Sequence, residues 1–295
     1  MLHWRLILGS AFIAALVGLF WLDATLAQPG IILFIIAVIL TGMASGEYIR
    51  LTHFTEFHSR ASSVYGGSLL VVLLSGVPYF WPLDLFNTPF APLGWVCLTW
   101  MIVCLFSVII EIASYRDGKN NVLDLGLTVL GIFYIGLLMS VLVHLRFVGG
   151  NQWKELPLVA LLITVKLGDI GAYAVGRTLG RNRAVPQLSP GKTVEGFIGG
   201  IAFSIGGAFL ACRFLPVWLH LSVEPFSWWQ AILFGLLVGT AGILGDLAES
   251  LIKRVANQKD SSAWLPGFGG VLDLMDSLLF AGPVALIFWI LLLGR

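Results

Sequence analysis

The sequence is short of charge of either sign. Asp, Glu, Lys and Arg make up 11% of its 295 residues, whereas soluble domains carry about 25%. The 17 basic and 16 acidic side chains leave a net charge of only +1, so no positive field favours binding to nucleic acid. These deficits exclude an ordinary soluble enzyme and a disordered chain, and they predict no nucleic-acid partner.

Cysteine is scarce as well. Cys97, Cys104 and Cys212 are surrounded by apolar residues, and their spacing matches neither a zinc site nor a Cys-x-x-Cys redox motif. We interpret all three as small buried hydrophobic residues. A secreted domain held together by disulfides is therefore excluded.

Long apolar runs dominate the sequence. Hydrophobic residues make up 58% of the chain, and a helix needs about 20 of them to cross a hydrocarbon core about 30 Å thick. We predict an all-α, polytopic integral membrane protein with about nine transmembrane helices in a single domain, residues 1–295. The predicted spans are 6–22, 30–44, 67–80, 93–110, 122–145, 156–175, 197–215, 229–247 and 274–293.

The first run resembles a secretory signal, because Thr25-Leu26-Ala27 follows it like a cleavage site. Eight further apolar runs and the turn at Pro29-Gly30 favour a retained helical hairpin instead. The runs at 30–44 and 67–80 are short, which indicates tilted or partly re-entrant segments.

The loops differ in their content of Lys and Arg. With the N-terminus inside, twelve of the 17 basic residues fall in inside loops, four fall outside, and Lys166 lies within a span. Cytoplasmic loops carry the excess of positive charge in membrane proteins. We therefore predict a cytoplasmic N-terminus and an external C-terminus.

Four aspartates are predicted at membrane depth. Asp169 lies late in the sixth span, Asp246 at the end of the eighth, and Asp273 and Asp276 at the start of the ninth. In the predicted topology these ends share the cytoplasmic side, and a carboxylate within a membrane is costly enough to indicate function. The alternative is that each acid is paired locally, for example Asp169 with Lys166. We predict that the four converge on one site.

Two glycine-rich loops flank these acids, Ser189-Pro-Gly-Lys192-Thr193 and the segment that reaches Asp273 through Pro266-Gly-Phe-Gly-Gly270. The first is not a Walker P-loop, because Pro186 stands where that motif needs glycine and a membrane helix lies where it needs a strand. Lysine, hydroxyl and backbone N–H groups at a helix N-terminus nevertheless bind phosphate, and carboxylates hold Mg²⁺. The combination predicts transfer at a phosphorus centre, between a lipid phosphate and a soluble nucleotide.

The residues in and around these loops form a longer pattern. It consists of Ser250-Leu-Ile-Lys253-Arg254, Lys259-Asp260 and residues 266–277, with an upstream part at 169–177 and 189–200. This pattern resembles the signatures of the phosphatidate cytidylyltransferase (CDP-diacylglycerol synthase) family. Glu47-Tyr48 also looks like a family feature. The resemblance is strong over about the last 130 residues and rests mainly on hydropathy over the first 150.

Two positions depart from the family pattern. Phe268 stands where the family has His, and Leu274 stands where it has Arg. The missing Arg removes a cation beside the predicted metal-binding acids, and the missing His removes a proton carrier or phosphate donor. The aspartates, the Lys253-Arg254 pair and the first glycine-rich loop are intact, which favours an active enzyme over an inactive paralogue.

The resemblance implies Mg²⁺-dependent transfer of CMP from CTP to phosphatidate, which gives CDP-diacylglycerol and pyrophosphate. It implies two divalent-metal sites held by Asp246, Asp273, Asp276 and Asp169, and catalysis by Asp246, Asp273 and Lys253. The residues implied to bind substrate are Ser189, Lys192, Thr193, Ser250, Arg254, Lys259, Asp260, Gly269 and Gly270.

The resemblance also bears on location and assembly. It implies a homodimer in the bacterial inner membrane, with the active site facing the cytoplasm. Residues 1–150 would form a scaffold with lipid access, and residues 155–295 would supply the catalytic helices and loops.

Two other functions remain open. An ion-coupled secondary transporter also uses intramembrane carboxylates and glycine-broken helices, but it would place the acids near the midplane and show inverted repeats. A sibling transferase would act on another lipid phosphate, such as an isoprenoid-chain analogue.

Overall fold

The computed structural model describes residues 15, 17–81, 91–115, 120–153, 155–218, 221, 223–262 and 269–293. Across this part of the chain, eight helical segments are long and apolar enough to cross a membrane. The predicted all-α, polytopic membrane fold is thereby confirmed. The first predicted span, 6–22, lies mostly outside the described residues; residues 17–25 are helical.

Besides the helical residues 17–25, the described part of the chain forms twelve helices and one pair of strands. They are α1 (Ile31–His53), α2 (Ala61–Ser75), α3 (Val77–Phe80), α4 (Ala91–Ala113), α5 (Asn121–Gly131), α6 (Leu138–Phe147), α7 (Gly150–Trp153), α8 (Leu156–Leu179), β1 (Arg183–Val185), β2 (Ser189–Thr193), α9 (Val194–Phe209), α10 (Leu215–Trp218), α11 (Trp228–Val255) and α12 (Val271–Leu293). π-Helical turns at Ile132–Leu137 and Leu210–Phe214 join α5 to α6 and α9 to α10.

The two spans that were predicted to be short are long enough to cross a membrane. α1 has 23 residues, and α2 and α3 together form a 20-residue span. Ser45, Glu47 and Thr52, in the second half of α1, are buried inside the protein. Such residues interrupt an apolar run in the sequence, but they do not contact lipid. The prediction that these two spans are short was therefore wrong.

Two of the helices that carry aspartates are also longer than hydropathy indicates. α8 continues to Leu179 instead of residue 175, and α11 continues to Val255 instead of residue 247. Asp246 therefore lies inside α11 and not at its end. The last turns of α11 are polar and are stabilised by an i,i+4 ion pair between Glu249 and Lys253, which an apolar run does not reveal.

A β-hairpin stands where we predicted only a loop. β1 and β2 pair antiparallel and carry the Ser189-Pro-Gly-Lys192-Thr193 segment. The turn between them is closed by Leu188 N–H, which donates to the Val185 carbonyl at 3.2 Å. Pro186 occupies the second position of this turn, where its fixed φ is favourable. Strands of three and five residues are too short to produce a recognisable alternation of apolar and polar residues.

The helices that carry the aspartates pack against one another. α8 lies along α9, and α11 packs against both α9 and α12. Gly245 permits a close approach, because a Cβ at this position would lie 2.5 Å from the carbonyl oxygen of Asp276. α11 and α12 therefore meet backbone to backbone beside Asp246 and Asp276, which brings carboxylates from two helices into one region.

Candidate active site

A cavity of about 660 Å³ lies between α8, α9, α11, α12 and the hairpin. Asp169, Asp246, Asp273 and Asp276 all line it. The four aspartates therefore face one cavity, as the argument from the sequence requires.

Lys192, in the second strand of the hairpin, contacts Asp246 across this cavity. Its Nζ lies 2.7 Å from Asp246 Oδ2, and the two side chains are 18% and 41% exposed. The Asp246 side chain is therefore open to a ligand in the cavity, whereas Lys192 Nζ is shielded from solvent. The pair offers a cation to a phosphate and a carboxylate to a metal ion.

A second lysine, Lys166, pairs with Asp169, as the alternative of local pairing anticipates. Its Nζ lies 3.1 Å from Asp169 Oδ2 and donates to the backbone carbonyl of Leu274 at 3.2 Å. Asp169 nevertheless lines the cavity. Leu274 stands where the family pattern has Arg. Lys166 therefore places a cation next to the position at which this chain has lost one.

Asp273 accepts hydrogen bonds on both carboxylate oxygens. Oδ2 accepts from Gly270 N–H at 2.7 Å, from Ser261 N–H at 2.9 Å and from the Ser261 hydroxyl at 2.7 Å. Oδ1 accepts from Lys253 Nζ at 2.5 Å. Asp273 therefore holds Ser261 and Gly270, two residues between α11 and α12. Asp276 is buried, and its Oδ1 accepts from Ser277 N–H at 2.5 Å.

Lys253 is an internal partner of two carboxylates. Its Nζ lies 2.7 Å from Glu249 Oε2 and 2.5 Å from Asp273 Oδ1, and its side chain is 12% exposed. Lys253 does not belong to the described residues that line the cavity. The structure places this predicted catalytic residue behind Asp273, where it supports the carboxylate, and Ser250 is buried on the same helix.

The hairpin residues have structural partners as well as a place at the site. Thr193 lines the cavity, and its hydroxyl caps α9 by accepting Gly196 N–H at 3.1 Å. Arg254 Nε donates to the Leu188 carbonyl at 3.1 Å, so this residue ties the hairpin turn to the end of α11. Ser189 lies in β2, which begins next to that turn.

The loop after α11 contains the remaining predicted residues. Lys259 and Asp260 are exposed and stand apart from the described residues that line the cavity. Gly269 has φ +85°, and a Cβ there would lie 2.5 Å from Asp273 Oδ2. A Cβ at Gly270 would collide with the Ser261 hydroxyl and the Glu47 carboxylate, so only glycine fits at these two positions. Phe268 lies outside the described residues.

Two buried glutamates were not among the predicted site residues. Glu249 holds Lys253, and Glu47 accepts hydrogen bonds from Val271 N–H at 3.0 Å and Leu272 N–H at 2.8 Å. The sequence contained one signal for Glu47, which is its place in the Glu47-Tyr48 pair at the end of an apolar run. That signal gave no partner, because the groups it binds are more than 200 positions away.

The carboxylates of the cavity are the type of ligand that a hard cation prefers. Mg²⁺ prefers carboxylate oxygens, and Asp169, Asp246 and Asp276 present such oxygens to the cavity. Within the described residues, no group of three or more His, Cys, Asp or Glu side chains stands close enough to hold a metal ion. Lys166 and Lys192 neutralise Asp169 and Asp246 in this arrangement, so a metal ion would compete with these lysines for the carboxylates.

Fold and site together define a polytopic membrane protein with an acid-lined cavity between its C-terminal helices. The model of the cytidylyltransferase family matches residues 4–292. The chain belongs to this family, and it is thereby a nucleotidyltransferase. The resemblance drawn from the C-terminal motifs is confirmed.

Individual relatives extend the similarity into the N-terminal half. A phosphatidate cytidylyltransferase of Synechocystis sp. is 33% identical over 222 residues, 66% of this chain and 70% of that protein. One of Pseudomonas aeruginosa is 31% identical over 260 residues, 87% of each chain. One of Staphylococcus saprophyticus is 27% identical over 273 residues, 92% of this chain and 95% of that protein.

Proposed function

We propose that the protein transfers CMP from CTP to phosphatidate in an Mg²⁺-dependent reaction, giving CDP-diacylglycerol and pyrophosphate. A phosphate oxygen of phosphatidate bonds to the α-phosphorus of CTP. The bond from that phosphorus to the oxygen that bridges to the β-phosphorus breaks, and pyrophosphate leaves. The observation that carries the proposal is a single cavity, between membrane-spanning helices, lined by four aspartates and Lys192.

The cavity has a polar and an apolar part. Val165, Phe197 and Ile243 line it together with the aspartates, so a molecule with a charged headgroup and an acyl chain matches both kinds of surface. Phosphatidate is such a molecule, and the relatives compared above are named for acting on it.

The charged side chains have distinct tasks in this proposal. Lys192 and Arg177, which line the cavity, bind phosphate oxygens, and Thr193 holds the start of α9 in place beside them. Phosphatidate is an anion at neutral pH, so no side chain has to remove a proton from the attacking oxygen.

Asp246, Asp276 and Asp169 are the residues that would hold magnesium. The bound ion would neutralise charge that builds up on the phosphate oxygens and on the leaving pyrophosphate. Asp273 would have to exchange one of its present hydrogen bonds to join them, because both of its oxygens already accept. The proposal keeps two divalent-metal sites. Lys259 and Asp260 are exposed, so they would contact substrate only from the solvent side.

The location of the site is part of the same proposal. The excess of Lys and Arg in one set of loops supports a site that faces the cytoplasm, in the inner membrane of a bacterium. Labelling of single-cysteine variants at Glu56 and Glu224 with an impermeant reagent would test the orientation. A homodimer stays a prediction, to be checked by light scattering of the purified protein.

The decisive experiment is product analysis on the purified protein. CTP labelled in the α-phosphate is incubated with phosphatidate or with a polyprenyl phosphate, in the presence of Mg²⁺ or of EDTA. We expect labelled CDP-diacylglycerol with phosphatidate and Mg²⁺, and none with EDTA. A labelled product from the polyprenyl phosphate alone would show a sibling transferase, and an unchanged yield in EDTA would refute the dependence on magnesium. Ion-driven solute uptake into proteoliposomes, without any nucleotide product, would instead identify a transporter.

A further inference from the structure

Glu47 of α1 belongs to the N-terminal half of the chain but binds the C-terminal half. The residue is 4% exposed, and four donors offer hydrogen bonds to its carboxylate. Two come from the backbone N–H groups of Val271 and Leu272 in the first turn of α12. The other two come from the hydroxyls of Ser261, at 3.0 Å, and Ser262, at 2.8 Å.

The position of Ser261 connects Glu47 to the cavity. Its hydroxyl lies 3.0 Å from Glu47 Oε2 and 2.7 Å from Asp273 Oδ2, so it bridges the two carboxylates. A hydroxyl has one proton, which only one carboxylate can receive at a time. Ser261 N–H also donates to Asp273. The bridge runs from α1 through the loop to an aspartate that lines the cavity.

We propose that Glu47 is a positioning residue for the reaction, acting through Ser261 and the first turn of α12 to hold the Asp273 carboxylate at the cavity. The proposal rests on the proposed function. Glu47 fixes the helix start two positions before Asp273, while Lys253 and Gly270 hold the carboxylate directly. Without the Glu47 acceptors, two buried N–H groups at this helix start lose their partner, and the turn that carries Asp273 shifts.

Asp23 provides a matched structural control for Glu47. It is also fully buried, and its oxygens accept from Gly30 N–H at 2.8 Å, from Ile32 N–H at 2.9 Å and from the Arg146 guanidinium at 3.1 Å. It therefore holds the start of α1 much as Glu47 holds the start of α12. Fifteen residues of α-helix separate Ile32 from Glu47, which is about 22 Å, so Asp23 is remote from the cavity.

The test compares Glu47→Gln with Asp23→Asn in purified, monodisperse protein. Gln keeps the size of Glu but directs an NH₂ group at N–H donors. We expect kcat per folded enzyme to fall about 10- to 100-fold, as for a misplaced reacting group, and the Mg²⁺ concentration for half-maximal rate to rise. Glu47→Asp keeps the charge and should retain more activity than Glu47→Gln. Asp23→Asn should lower the unfolding temperature and leave kcat and the Mg²⁺ requirement unchanged.

The adjacent serines give a second test that does not alter Glu47 itself. Both donate to Glu47, but only Ser261 reaches Asp273. Ser261→Ala should lower kcat more than Ser262→Ala does. These variants keep the proposal testable if Glu47→Gln fails to fold.

The outcomes separate this proposal from the proposed function. If the wild type makes CDP-diacylglycerol and Glu47→Gln matches its kcat and Mg²⁺ requirement, the positioning role is refuted and the function stands. Equal losses of kcat in Ser261→Ala and Ser262→Ala would also refute it. If the wild type makes no product with any lipid phosphate, the function fails. Amide hydrogen exchange then tests Glu47 separately. If the exchange rates at residues 270–273 are the same in Glu47→Gln and the wild type, Glu47 does not stabilise the first turn of α12.

Discussion

Two buried carboxylates lie at opposite ends of α1. Asp23 binds the start of the helix, and Glu47 lies within its second half. At its start, the side chains of Asp23 and Arg146 are 1% and 7% exposed. Towards its other end, Glu47 is equally enclosed, but its contacts lead through Ser261 to Asp273 and the cavity. The contacts of Glu47 therefore lead to a group that can meet substrate, whereas Asp23 and Arg146 do not line the cavity.

The aspartates that pair with lysine around the cavity are more exposed than the Asp23–Arg146 pair. The side chains of Asp246 and Asp169 are 41% and 44% exposed although both are paired with lysine. Breaking a buried pair leaves a charge without water or partner and costs about 3–5 kcal/mol, whereas an exposed pair contributes about 1 kcal/mol at most. We therefore expect substitutions of the exposed pairs at the cavity to affect mainly turnover, and substitutions of the buried pair to affect mainly stability.

Asp246→Asn should have the largest effect on turnover. The substitution keeps the size of the side chain but removes the charge that faces Lys192 and the phosphates, so we expect the rate of CDP-diacylglycerol formation to fall about 10²–10³-fold. The unfolding temperature should fall less than on loss of the Asp23–Arg146 pair, because the Asp246 side chain is 41% exposed and that of Asp23 is 1% exposed. Glu224→Gln, at an exposed position, is the control. Near-normal turnover of Asp246→Asn would remove this aspartate from the proposed mechanism.

Lys166→Met should have a smaller effect on the same reaction. The ammonium neutralises Asp169 and lies beside Leu274, and loss of about 1 kcal/mol from such a pair corresponds to about a fivefold lower rate. Adding Leu274→Arg to this variant should restore part of the rate, because it returns a cation to the same region. A full rate in Lys166→Met, or no gain from the added Leu274→Arg, would contradict this assignment.

Arg146→Met should leave turnover per folded enzyme unchanged. It removes the counter-charge of the buried Asp23 carboxylate, which keeps only backbone N–H donors among the described residues, so we expect the free energy of unfolding to fall by about 3–5 kcal/mol, seen as a lower unfolding temperature in detergent. Arg50→Met, an exposed change on α1, should not alter stability. If Arg146→Met instead lowered kcat without loss of folded protein, the distinction between the two ends of α1 would be wrong.

Much of the fold was predictable because hydropathy reports directly on lipid exposure. The apolar runs placed the membrane spans, and the aspartates in them indicated one site, which the cavity supports. Helix ends were less predictable, since the polar last turns of α11 are stabilised by the pair of Glu249 with Lys253. The hairpin around Pro186 was missed because its strands are short.

The roles of individual charges were harder to predict than their convergence. Lys253 was predicted to be a catalytic residue, but it is enclosed between two carboxylates. The local signal for Glu47 gave no partner, because the described donors to its carboxylate are Ser261, Ser262, Val271 and Leu272. Spacing along one helix identifies neighbours on that helix, whereas these partners come from elements far apart in the chain.

The amino-acid sequence alone determined that this chain is a helical membrane protein of the cytidylyltransferase family with acids gathered at one site. Apolar length and local motifs are properties of the covalent chain, so they can be recognised without coordinates. Tertiary structure alone decided which charges are enclosed and which face the cavity, and that Glu47 reaches Asp273 through Ser261. The reason is that burial and the electrostatic partner of a side chain depend on how distant helices pack.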